Sequence, residues 1–293
     1  MADELTGTDA VVSWETAREA NLANWNDRVE IHTSGGYDLD SYRRDPAHLS
    51  QVVRVDLEAL RRFLPDAVAG LDVCHLQCHI GTDTVSLARA GARVVGVDFS
   101  RPALDAAAAL AADIGVEAEW VHTDVLDARA AVTEQLGADR TFDLVYTSIG
   151  TVGWLKDLDR WAAQIEGLLR PGGLFYIRDG HPAMYGLDEN REELVTVYRY
   201  FDTGEAQVWD EEETYAGEGK LTNTRTYEFP HPFRELLPAV LGAGLEIIGF
   251  DEGKTLPWRF SEFMVEGEDG DFELPAHQRE LIPLTFTLVA RKR

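Results

Sequence analysis

The sequence predicts an α/β fold, a mostly parallel sheet with helices on both faces, and three observations carry that expectation. From about residue 65 to 180, short β-branched apolar runs alternate with stretches of helical spacing, the pattern of strands joined by crossover helices. The helical stretches carry their own start and stop residues. The chain ends on another apolar run, IPLTFTLVARKR, which would return as a strand to the sheet.

In chain order, residues 9–32 suit a first helix, TSGGYDLDSYRRDP an irregular loop and 47–63 a second helix. Residues 71–77 (LDVCHLQ) and 93–98 (RVVGVD) read as strands, and 117–121, 142–147 and 173–179 repeat their character. Ser100 is placed as an N-cap, Pro102 suits a first turn, and Gly115 stops the helix between them. Leu155, Leu158, Trp161, Ile165, Leu168 and Leu169 recur at three and four residues, and Pro171-Gly172-Gly173 closes that helix. Between 187 and 229 the period changes to two. ELVTVYRYFD, EAQVWDEEETY and GKLTNTRTYEF read there as antiparallel strands of an inserted cap. PFRELLPAVLGAGLEIIGFDE then gives a helix, an exit at Gly242 and Gly244, and a strand. Four regions result: an N-terminal helical lid at 1–64, a core at 65–182, the β cap at 183–230, and a C-terminal completion of the core sheet at 231–293.

Composition narrows the partners. The 293 residues are 45% hydrophobic and carry a formal charge of −25, a field that repels phosphate backbones and anionic lipid. Small molecules remain the expected partners, with no nucleic acid and no membrane, and a homodimer is a candidate assembly. The opening MADELTGTDAVVSWETAREA has neither the basic start nor the apolar block of a secretory signal, and no run of about 18 apolar residues follows. Two Cys make no disulfide framework, so a cytoplasmic location is expected.

VCHLQCHIGTDT, at 73–84, concentrates two Cys and two His and invites a metal reading. Strand alternation argues against it, because Cys74, Leu76 and Cys78 point one way while His75, Gln77 and His79 tend to point the other. No second Cys pair exists, and the spacing fits neither haem attachment nor a redox pair. A strand, a tight turn at Gly81 and a helix opening at Thr82 fit better. Asp98, ending the next strand, could hold a ribose in its two carboxylate oxygens or simply cap the turn toward Ser100.

From this point the chain resembles class I S-adenosylmethionine-dependent methyltransferases. The resemblance covers roughly residues 65–180 and rests on VVGVDFS, VHTDVLD, FDLVYTSIG and LLRPGGLFYI, together with HLQCHIGTDT as a variant of the family's glycine-rich loop. Of that loop's D-x-G-x-G-x-G pattern only Gly81 is kept, and Gln77 and His79 replace the two earlier glycines. The resemblance implies a Rossmann-like, seven-stranded sheet with its last strand antiparallel, and S-adenosyl-L-methionine as cofactor. It implies Gln77, Cys78 and Gly81 on the methionine side, with Thr82, Asp83 and Thr84 opening the helix. Asp98, Phe99 and Ser100 follow at ribose and adenine, Asp124 and Val125 at the adenine, and Ser148 and Ile149 beside the sulfonium.

Direct methyl transfer to a small-molecule acceptor needs alignment, exclusion of water and, for some acceptors, a base. His181 in RDGHP is the first candidate base, then His231 in FPHPF, then His32 and Tyr37 on the lid. A metal held by His181 and His231 across the cap mouth is not required by their spacing, and no metal is expected. Tyr185, Tyr198, Tyr200, Trp209, Tyr215, Tyr227, Trp258 and Phe260 could line an acceptor pocket. The acidic run WDEEETY could attract a cationic acceptor, although a solvated sheet edge is the simpler expectation. Two other functions fit parts of the pattern: a non-catalytic S-adenosylmethionine-binding or regulatory protein, and an NAD-type oxidoreductase. The latter is disfavoured because G-x-G-x-x-G is absent.

Overall fold

The computed structural model describes residues 7–147, 149–267 and 269–293. Its strands are β1 (Thr8–Ala10), β2 (Asp72–Leu76), β3 (Arg93–Asp98), β4 (Glu119–His122), β5 (Phe142–Thr147), β6 (Leu169–Gly180), β7 (Ala206–Asp210), β8 (Arg225–Glu228), β9 (Leu245–Gly253), β10 (Thr255–Leu256), β11 (Val265–Glu266), β12 (Phe272–Glu273) and β13 (Thr285–Lys292). The helices are α1 (Trp14–Ile31), α2 (Leu39–Arg44), α3 (Gln51–Leu60), α4 (Thr82–Arg89), α5 (Arg101–Asp113), α6 (Ala128–Leu136), α7 (Leu158–Leu168) and α8 (Phe233–Gly242).

Seven strands make the central sheet, in the order β4-β3-β2-β5-β6-β13-β9. The first five run parallel, and β13 lies antiparallel between β6 and β9. Strand alternation sorts the two faces. Cys74, Leu76, Val95, Val97, Val145 and Phe175 pack on one side with α7 and α8, and Val73, Val94, Leu144, Tyr146 and Tyr176 pack on the other with α3. Strand order reverses at β2, whose neighbours are β3 on one edge and β5 on the other. At such a switch point the crossovers diverge and leave a crevice outside the carboxyl ends.

Caps place the helices more tightly than periodicity does. The first helix starts at Trp14 rather than residue 9, because the Ser13 hydroxyl accepts from the Thr16 N–H at 3.2 Å. The second spans Gln51–Leu60 inside the expected 47–63, capped by Ser50 on the Val53 N–H at 3.1 Å. The cap region also departs from expectation. ELVTVYRYFD contributes only an isolated bridge, Leu187 to Thr196, and the small sheet is β1-β7-β8, with its third strand supplied by the N-terminus. A second small sheet, β10-β12-β11, lies between β9 and β13. Its neighbourhood is apolar, with Leu256, Met264 and Leu274 packed on Met184. No helix among the described residues is long and apolar enough to cross a membrane.

Candidate active site

A cavity of about 810 Å³ opens where the carboxyl ends of the parallel strands meet the β1-β7-β8 sheet, within the roughly 300–1,000 Å³ of ligand pockets. Its floor begins with the turn after β2. Gln77 at φ 56°, His79 at φ 48° and Gly81 at φ 75° all take left-handed backbone. For Gln77 and His79, which stand where glycine is usual, this costs about 1–2 kcal/mol each. Hydrogen bonds hold them there: the Cys78 N–H donates to the Val97 carbonyl at 3.0 Å, and the His79 N–H to Asp98 Oδ2 at 2.8 Å. Gln77 Nε2 donates to the Thr151 carbonyl at 3.0 Å. Its Oε1 is buried in the cavity wall with no hydrogen-bond partner among the described residues.

Three carboxylates rim the strand ends, each fastened by backbone. Asp98 accepts from the His79 and Ser100 N–H groups, both at 2.8 Å, and burial still pushes its carboxyl up to about 6. Asp124 accepts from the Leu126 N–H at 2.9 Å and from Arg18 of α1. Asp179, at the end of β6, accepts from the backbone of Gly150, Thr151, Val152 and Gly180 and from the Thr151 hydroxyl, at 2.6–3.1 Å. Burial raises its carboxyl too, against those donors.

The roof comes from α1 and the cap. His32 Nδ1 meets His79 Nε2 at 2.8 Å, and His32 Nε2 meets the Thr214 hydroxyl at 2.8 Å. Burial and the nearby Arg28 cation hold His32 down to about 3, so it is neutral. The Tyr37 and Tyr215 hydroxyls share a hydrogen bond at 2.6 Å. Arg28 is buried, stacks 4.8 Å above Trp25 and donates to Asn24 Oδ1 at 2.7 Å.

Of the residues expected at the site, Gln77, Cys78, Thr82, Asp83, Asp98, Phe99, Asp124, Val125 and Ile149 line the cavity. Ser148 lies outside the described residues. Gly81, Thr84 and Ser100 do not line the cavity and take supporting places. A Cβ on Gly81 would meet Ala107 at 2.6 Å and Trp120 at 2.7 Å, so that glycine serves packing behind the loop. Thr84 is fully buried and its hydroxyl meets His75 Nδ1 at 2.8 Å, while the Ser100 hydroxyl meets Asn26 Oδ1 at 2.7 Å and caps α5.

Among the expected bases, Tyr37 and His231 line the cavity, and His32 and His181 do not. His181 accepts from the Ala183 N–H on Nδ1, turns Nε2 to Glu252 at 3.1 Å and packs edge-on against Phe233. With one nitrogen accepting and the other beside a carboxylate, its neutral ring has no lone pair left for an acceptor's proton. His231 Nε2 donates to the Leu155 carbonyl at 2.6 Å, and its Nδ1 lies 3.3 Å from Glu235 Oε2. Among the described residues no three His, Cys, Asp or Glu side chains gather as metal ligands. Tyr185, Tyr200, Tyr215 and Trp258 face the cavity, whereas Tyr198 and Trp209 pack on each other.

Sequence reasoning missed two carboxylates, Asp179 and Glu228, and named a third, Glu211, only within the acidic run. Asp179 could have been found, since an acidic residue closing a central strand points at the crevice. Glu228 and Glu211 also line the cavity. Asp210 and Glu212 of the acidic run pair with Arg225 and Lys220 as a solvated edge would, but Glu211 turns to the cavity rim.

The methyltransferase domain family matches residues 74–175. A cypemycin N-terminal methyltransferase from a Streptomyces species is 32% identical over 197 residues, 62% of this chain and 75% of that protein. A ubiquinone biosynthesis O-methyltransferase from Mesorhizobium japonicum is 31% identical over 109 residues, 37% of this chain and 40% of that protein. Among solved structures, an S-adenosylmethionine-dependent methyltransferase from Mesorhizobium loti shares the fold at TM-score 0.52 and 19% identity, covering 80% of this chain and 96% of that one. The cyclase SpnF shares it at TM-score 0.52 and 16% identity over 98% of both chains.

Proposed function

We propose that this chain, which belongs to the S-adenosylmethionine-dependent methyltransferases and uses S-adenosylmethionine as methyl donor, transfers that methyl directly to a small molecule held under the cap. The observation that carries this reading is the cavity wall shared by the β2–β5 carboxyl ends and the cap sheet, with Gln77 Oε1 buried in it and without a partner among the described residues. That oxygen fits the donor's ammonium, since a buried acceptor without a donor is costly and a charged N–H satisfies it. Asp98 retains lone pairs beyond its two backbone donors and fits the ribose hydroxyls. Phe99 and Val125 offer an apolar slot for adenine, and Asp124 offers an acceptor at its edge.

The bound donor supplies an activated methyl on a sulfonium. The protein then positions and shields. Asp179 fixes the 150–152 turn by its backbone hydrogen bonds, and Gln77 ties the loop after β2 to Thr151, so the two loops facing the reacting atoms move as one. The His32–His79 and Tyr37–Tyr215 contacts tie the roof together. One relative is named for transfer at an N-terminus and another for an O-methyl product, so nitrogen and oxygen acceptors are the first to try.

Calorimetric titration with S-adenosylmethionine, S-adenosylhomocysteine and NAD tests the reading. Micromolar binding of the first two, weakened in Asp98→Ala and Gln77→Ala, is expected. Binding of NAD alone would sink it.

A further inference from the structure

The cap side of the cavity carries charge that methyl transfer does not by itself require. Glu228 on β8 faces the cavity beside Gln207, its cross-strand partner on β7, and Glu211 stands just past the end of β7. The Phe229 N–H donates to the Gly153 carbonyl at 2.7 Å, pinning the residue after Glu228 to the segment that leaves β5. In the methyl-transfer reading, on which this inference rests, that segment borders the reacting methyl. Tyr185 sits over Gly180, within the electrostatic reach of both Asp179 and Glu228. Glu228 therefore belongs to the same stretch of wall as the β6 end.

Neither glutamate is fastened like the aspartates opposite. Among the described residues no hydrogen bond or ion pair reaches the carboxylate of Glu228 or Glu211, and the Glu211 charge adds repulsion at Glu228. The charges facing them are Arg28 from α1, which is engaged with Asn24 and Trp25, and Glu189, which adds repulsion at Glu211. Tyr185 is a further titratable neighbour of Glu228. Two like charges turned to one cavity, beside the rings of Tyr185, Tyr200 and Trp258, form a setting that a cation relieves and an anion worsens.

We infer that the acceptor is an amine whose ammonium enters between Glu211 and Glu228, and that Glu228 takes the proton that frees its lone pair. In this step one N–H bond breaks and its proton passes to the Glu228 carboxylate. The nitrogen lone pair then forms the N–C bond while the methyl's C–S bond breaks, its electron pair remaining on sulfur. The positive charge ends on the methylated nitrogen, and the proton leaves Glu228 for solvent at the rim. Burial and the Glu211 charge raise Glu228 to about 7, so its carboxylate form grows through neutral pH and amine binding strengthens there.

The test compares benzylamine with its neutral isostere benzyl alcohol, by calorimetry in the presence of S-adenosylhomocysteine, on the full chain. Wild type is expected to hold the amine at least tenfold tighter, with affinity rising through pH 7. Glu228→Gln erases the preference while its affinity for S-adenosylhomocysteine stays within twofold, and Glu211→Gln moves the rise to lower pH. Turnover of a dipeptide with a free α-amine falls at least 100-fold in Glu228→Gln and is partly restored in Glu228→Asp. Equal binding of the two benzyl compounds by wild type, or wild-type turnover in Glu228→Gln, overturns the amine assignment and leaves methyl transfer standing. Failure of wild type to bind S-adenosylhomocysteine would instead remove the reading beneath it.

Discussion

The two walls of the cavity use the same functional group in opposite ways. On the strand-end wall, Asp98, Asp124 and Asp179 each accept backbone N–H groups from neighbouring turns. On the cap wall, Glu211 and Glu228 line the same cavity and have no such donors among the described residues. Burial raises both kinds of carboxyl, but backbone donors oppose the rise at Asp98 and Asp179 while repulsion from Glu211 adds to it at Glu228. An amide-fastened carboxylate shapes a loop and presents spare lone pairs in a fixed direction. An unfastened one keeps its charge available to a ligand and to protons.

Breaking the strand-end wall should cost most. Asp179→Asn turns one acceptor into a donor against buried N–H groups, and a loss of about 3 kcal/mol or more in chemical denaturation is expected. Asp98→Ala leaves the His79 and Ser100 amides without their acceptor and removes the side chain proposed to hold the ribose. S-adenosylhomocysteine affinity is expected to fall about 10- to 100-fold, near 1.4–2.8 kcal/mol, by calorimetry. The roof should yield to acid first. His32 titrates near 3 folded against 6.5 unfolded, so its depressed value means the unfolded chain binds the extra proton. Stability is therefore lost as pH falls below 6.5, by about 2 kcal/mol at pH 5 from His32 alone, and His32→Asn should make that part of a stability-against-pH curve shallower, with buried His75 and His79 still adding losses of the same sign. Gly81→Ala, which would clash with Ala107 and Trp120 from a left-handed backbone, should cost about 2 kcal/mol of stability with little change in the affinity of the folded fraction. The smallest effect separates strain from contact: Gln77→Gly should leave the melting temperature nearly unchanged, because relief of about 1 kcal/mol of strain offsets a lost hydrogen bond. Cofactor affinity should nonetheless drop about tenfold through loss of the free oxygen.

The legible parts of the site were those whose partners lie close in sequence. Asp98 accepts from residue 100 and Gly81 turns between adjacent elements, so a strand end and a helix start pointed to them, whereas Asp124 and Gln77 were placed by the resemblance to a known family. His181 misled because a histidine after a central strand can turn to either side, and only its contact with Glu252, 71 residues away, decides which. The three-strand cap was half legible. Period-two alternation marked β7 and β8, but the third partner came from residues 8–10, some 200 positions distant.

The sequence by itself determined the alternating fold and the strand ends around the crevice, because backbone periodicity and capping act over a few residues, while the cofactor class rested on resemblance to a known family at landmarks such as VVGVDFS. Tertiary structure alone decided that Gln77 and His79 would adopt the backbone usually left to glycine, and that Glu211 and Glu228 would face one cavity. Both depend on desolvation and on hydrogen bonds between distant segments, and neither exists until the chain has closed on itself.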